Sequence, residues 1–101
     1  MNTSNANQTL TVAIAQAIIS QFKEKYFDSH VFIHMLMKDY PEIYEDHLSK
    51  NKGKFSSANG QIAKFLSDNS NQLSIKRVDN GDIVSVNIIG NPSSNALWFK
   101  K

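Results

Sequence analysis

The chain has no cysteine. That absence excludes a disulfide framework, a thiolate zinc or iron–sulfur site and a cysteine nucleophile, and it fits a cytoplasmic location. Glycine is scarce: Gly53, Gly60, Gly81 and Gly90 make neither a dinucleotide-binding nor a P-loop spacing. Long apolar runs are missing too. The longest near the start, residues 12–19, is interrupted by Gln16 and has neither the basic leader nor the small-residue cleavage site of a signal peptide, so secretion and membrane insertion are not expected. What is present is 101 residues, 41% of them hydrophobic, enough apolar surface for one core but not for two. The polar opening, residues 1–8, has almost nothing to bury and is expected to be a disordered tail, with residues 9–101 forming a single domain.

Charge is unevenly distributed. Up to Ser49 the basic residues are Lys23, Lys25 and Lys38 against Glu24, Asp28, Asp39, Glu42, Glu45 and Asp46, a net of −3. From Lys50 onward Lys50, Lys52, Lys54, Lys64, Lys76, Arg77, Lys100 and Lys101 face Asp68, Asp79 and Asp82, a net of +5. A basic half of this kind can attract a polyanion through counterion release, although modest local charge is also common on ordinary surfaces.

Residues 9–26 carry Val12, Ala15, Ile18, Ile19, Phe22 and Tyr26 at helical spacing, which predicts a first helix with one apolar stripe. Asp28 and Ser29 are placed to cap a second helix that buries Val31, Phe32, Met35 and Leu36 and ends near Tyr40, before Pro41. Pro41 suits the first turn of a third helix, followed by Glu42, Glu45 and Asp46 near its positive end. A loop over residues 51–54 precedes a fourth helix, capped by Ser56 or Ser57 and running to about Asp68, with Ala58, Ile62, Phe65 and Leu66 turned inward. Residues 69–72 read as a polar turn. Beyond them the period changes to two, residues 79–82 carry a hairpin signal, and the β-branched stretch 83–89 is expected to pair back on the strand before it. Residues 90–95 read as a turn or loop and residues 96–99 as a short closing strand.

This order of elements, helices first and then a small antiparallel sheet with a hairpin wing, gives an α+β fold and resembles the winged-helix variant of helix-turn-helix domains. The third and fourth helices then form the helix-turn-helix, with residues 57–69 in the recognition-helix place. The stretch Ile88-Ile89-Gly90-Asn91-Pro92-Ser93-Ser94-Asn95-Ala96-Leu97-Trp98 is also similar to the closing hairpin of winged-helix modules in some restriction-modification proteins.

The resemblance implies double-stranded DNA binding by a small regulator or DNA-recognition module. A recognition helix needs short polar groups near its N-terminus, and Ser57, Asn59, Gln61 and Lys64 are of that kind. Asn and Gln can pair with adenine, whereas Lys contacts phosphate or guanine. The same residues equally compose an ordinary solvated face, and the helix has no arginine. In the wing, Asn91, Ser93 and Ser94, with Asn95 beside them, can meet the DNA backbone or minor groove, and Lys76, Arg77, Lys100 and Lys101 supply charge nearby. Turn composition alone would also produce that loop.

Chemistry of other kinds finds little support. His30 and His34 share a helix face as zinc pairs do, but the metalloprotease glutamate is absent, and a third ligand would have to come from Glu24, Asp28 or His47, so no metal or cofactor is expected. Asp46 and His47 have no glycine-flanked serine to activate, which argues against an enzyme. The alternative to DNA binding is a protein-interaction module, with the acidic second and third helices as docking face. The first helix can bury its second side against a copy of itself, which makes a homodimer an expectation as well.

Overall fold

The computed structural model describes residues 9–78, 83–87 and 90–101, and shows an α+β fold of five helices and five short strands among them. The first helix, α1, is Val12–Ser20, capped by Thr11, whose Oγ1 accepts the Ile14 N–H at 3.2 Å. It stops well short of the expected Tyr26. Here the C-terminal end of the chain docks: the Lys100 ammonium binds the Phe22 carbonyl, which the Tyr26 N–H of a longer helix would need, and Lys25 C=O accepts the Lys100 N–H at 2.8 Å. Tyr26–Asp28 becomes strand β1 instead, so pairing with a distant strand outweighs the local helical spacing.

Helix α2, Ser29–Asp39, begins at the expected cap, with the Asp28 carboxylate accepting the Val31 N–H at 2.7 Å. Helix α3, Pro41–Lys50, starts on its proline. Lys52 and Gly53 then both adopt positive φ, and the chain re-enters helix α4, Phe55–Asp68. Its N-cap is Lys54, not Ser56 or Ser57: the left-handed pair reverses the chain early enough for Ala58 N–H to reach Lys54 C=O. Where a polar turn was expected at 69–72, Ser70–Leu73 forms one further turn, α5, which buries Leu73 before Ser74, at φ 55°, ends it.

The remaining strands are β2 (Ile75–Arg77), β3 (Ile83–Val86), β4 (Pro92–Asn95) and β5 (Leu97–Lys100). Strands β1, β5 and β2 make a three-stranded antiparallel sheet in that order, and β3 and β4 make a two-stranded one. The expected pairing of 83–89 with the preceding strand is therefore corrected: β3 pairs with β4, formed from residues expected to be loop. The reversal lies between Asn87 and Asn91, where Asn87 N–H donates to Asn91 C=O and Gly90 N–H to Asn87 C=O. Gly90, at φ 87°, occupies a conformation that glycine adopts without strain. The hairpin signal at 79–82, the end of the 83–89 stretch at 88–89 and the expected tail at 1–8 lie outside the described residues.

Only Ala96 separates β4 from β5, so the pairings of β3 with β4 and of β2 with β5 follow one another along the chain as a ribbon whose base lies in the three-stranded sheet. Register sorts that sheet into two faces. In the row Phe27, Trp98, Arg77, Phe27 and Trp98 look inward and join the core of Ile18, Phe32, Leu36, Tyr44, Ile62 and Leu66, while Arg77 is exposed at the edge strand. The next row, Tyr26, Phe99, Lys76, looks outward, as alternation requires. Trp98, only 2% exposed, also donates its indole N–H to Ser29 Oγ at 3.1 Å, which satisfies its one polar atom inside the core.

Candidate functional site

One face of α4 is built from small side chains. Ser56, Gly60, Ala63 and Ser67 recur at helical spacing on the side turned toward the ribbon, so nothing long fills the gap between helix and ribbon. The result is a groove of about 540 Å³. Its helix wall also carries Asn59 and Lys64, its ribbon wall Arg77, Ser93, Ser94 and Asn95, and its floor is formed by Ser29, His30 and Trp98. Among the described lining residues there are two permanent cations, many neutral hydrogen-bonding groups and no carboxylate.

Of the residues expected in a DNA contact, the groove gathers Asn59, Lys64, Arg77, Ser93 and Ser94. Asn59 is held in one orientation: its Oδ1 accepts the Tyr44 hydroxyl at 2.8 Å, so its Nδ2 donors are the part of the amide that Tyr44 leaves unused. Burial pushes the Tyr44 phenol up to about 12, which keeps it a neutral donor throughout the ordinary pH range. Lys64 forms an exposed ion pair with Asp68 at 2.7 Å, an i,i+4 contact that water and salt weaken. Arg77 also has an interaction of its own within the chain.

Ser57, Gln61, Lys76 and Asn91 lie elsewhere. Ser57 is exposed on another side of α4. Gln61, expected beside Lys64, reaches across to the end of α3, where its Oε1 accepts the Asn51 Nδ2 at 2.9 Å and lies 3.4 Å from His47 Nδ1. Lys76 stands on the outer face of the sheet, and Asn91 closes the ribbon turn with its N–H on Asn87 Oδ1. Asn95, expected beside Ser93 and Ser94, lines the groove as well, and residues that sequence reasoning left out of the site include Gly60, Ala63 and Ser67. The small stripe on α4 was there to be read at its three-and-four spacing. The hold of Asn95 on α2 was not, because it depends on a partner far away in the chain.

The β3–β4 pair is clasped to α2, chiefly at its end nearest the three-stranded sheet. Asn95 Oδ1 accepts the His30 backbone N–H at 2.9 Å, while its Nδ2 donates to Ile83 C=O at 2.9 Å and to Ser85 Oγ at 3.2 Å. Ser85 Oγ also meets His30 Nδ1 at 2.8 Å, and His34 Nε2 lies 3.3 Å from Val86 C=O. The pair of histidines thus grips the ribbon, and its hydroxyl partner is shared with an amide as part of a structural clasp. Among the described residues no three His, Cys, Asp or Glu side chains converge as metal ligands, and no helix is long and apolar enough to cross a membrane. Among known protein families, curated proteins and solved structures, none matches this chain.

Proposed function

We propose that the chain is a non-catalytic, winged-helix-like module that binds double-stranded DNA through the groove between α4 and the ribbon. The observation that carries this reading is the convergence of Lys64 and Arg77, from elements distant in sequence, on a concave surface free of carboxylates among its described residues. Cations position the phosphate backbone, while Asn59, Ser93 and Ser94 offer the short polar groups that reach sugar, phosphate or base edges. The absence of bulk along the α4 stripe lets a backbone come close to the helix.

Fluorescence anisotropy with a mixed-sequence duplex at low salt tests the reading. Wild type should bind with an affinity that falls steeply as salt is raised. Lys64→Ala should weaken binding to every sequence alike and flatten the salt dependence by about one phosphate contact. No binding up to roughly 100 µM, the weak end of non-specific DNA affinity, would overturn it.

A second reading is favoured by a different observation. Val84 and Val86 stand on the same side of β3 at 66% and 53% exposure, an apolar pair that duplex phosphates do not explain. They suit a protein partner, and capture of such a partner without salt-sensitive DNA binding would transfer the assignment to a protein-interaction module.

A further inference from the structure

The outer face of the three-stranded sheet has a composition unlike the groove behind it. Tyr26 on β1, Phe99 on β5 and Lys76 on β2 occupy one register row, so their side chains stand side by side on the solvent face. Tyr26 is 52% exposed, far more than packing against Phe99 requires. The two rings meet at a centroid distance of 5.2 Å and are tilted by 53°. Lys25 Nζ lies 5.9 Å from the Phe99 centroid, and a shallow cavity of about 240 Å³ is lined by Tyr26, Lys76, Arg77, Val78 and Phe99. The carboxylate nearest in the strand, Asp28, is withdrawn into the cap of α2.

We propose that this row, with Tyr26 and Phe99 as rings and Lys25 and Lys76 as flanking cations, is a stacking platform for an unpaired base of a single nucleic-acid strand. An exposed aromatic offers a π-face that any base can cover, whatever its sequence. Ammonium groups on either side of the rings suit the phosphates that must flank a stacked base. An incoming base displaces Lys25 from the Phe99 ring and leaves its ammonium to meet a phosphate. An acidic peptide would use the lysines but would have no need of the rings, and an apolar partner would use the rings but not the lysines. The combination selects the ligand that has both a flat aromatic surface and a regular negative charge. This goes beyond duplex binding in the groove; Arg77 lines both cavities, but Tyr26, Phe99 and Lys76 line only the outer one, so the two can fail separately.

The test is anisotropy of the whole chain with short oligothymidylate and oligouridylate strands, which share the unpaired base and separate a DNA from an RNA source. Binding of either strand is expected, with an abasic strand of equal charge bound much more weakly. Tyr26→Leu should lower single-strand affinity about tenfold, the loss of one base–aromatic stack, and Lys76→Gln should lessen its salt dependence. Duplex binding should be unchanged in Tyr26→Leu, because Tyr26 is on the far side of the sheet from the groove. Tyr26 is exposed, so this variant is expected to fold normally, and a matching melting temperature confirms it. Equal affinity for the abasic strand, equal displacement by polyglutamate, or full single-strand binding by folded Tyr26→Leu would each overturn the platform.

Discussion

The base and the tip of the ribbon are continuous in chain yet are held by different forces. At the base, Trp98 is buried among Phe27, Phe32 and their neighbours, and the backbone is paired on both sides because β5 is the middle strand. At the tip, in the β3–β4 pair, Ile83, Val84 and Val86 are all exposed, and the strands depend on one another and on His30 of α2, whose backbone N–H meets Asn95 and whose ring meets Ser85. Apolar burial is non-directional and cumulative, whereas a clasp of hydrogen bonds is worth only about 1 kcal/mol per bond but fixes an angle. The base therefore carries stability, and the tip carries aim: the clasp decides where Ser93 and Ser94 sit relative to α4. Regions held in this second way open locally, below the free energy of global unfolding.

The largest effect should come from breaking the base. Trp98→Ala removes a buried indole and leaves Ser29 Oγ without its donor, and should cost about 3–5 kcal/mol in denaturant melts, with ribbon and helices lost in one transition. Loss of the ribbon alone, with helices intact, would show that the base is not part of the common core.

Asn95→Ala attacks the tip. It removes the acceptor for His30 N–H and the donor to Ile83 and Ser85, and should cost about 1–3 kcal/mol. Hydrogen exchange should accelerate in β3 and β4 while β5 amides keep their protection. A uniform loss across the chain would abolish the distinction between base and tip. Smallest is His34→Ala, which forfeits a single exposed contact to Val86 and should change stability by no more than about 0.5 kcal/mol. Its use is as a gauge: if it matches Asn95→Ala, the clasp is not concentrated in Asn95.

How much of this could be read from the sequence depends on whether a signal is local. The cap at Asp28, the proline that starts α3 and the apolar stripe of α4 rest on spacing within a turn or two, and all three are found in the structure. Strand β1 has three residues, too few for an alternating period to stand out, and Phe22 and Tyr26 are four apart as a helix would place them. Pro92-Ser93-Ser94-Asn95 has turn composition, and becomes a strand only because β3 lies beside it; Pro92 is tolerated as the first residue of that strand. At the candidate site, the polar and basic residue types were legible, but which of them meet was not. Lys64 and Gln61 differ by three positions on one helix, yet Asn51 draws Gln61 toward α3 while Lys64 remains at the groove.

The middle position of β5 also has a kinetic meaning. Tyr26 waits for Phe99, more than seventy residues further along, and among the described residues β2 pairs in the sheet with that same strand alone. Helices α1 to α4 can assemble from contacts between neighbours, with short loops to close. The sheet must instead await one late arrival over a long loop, whose closure entropy is repaid only once the strand docks. Folding should therefore proceed with the helices collecting first and the sheet locking last, in a single step that seats Trp98, orders both faces of the sheet and sets the ribbon upright.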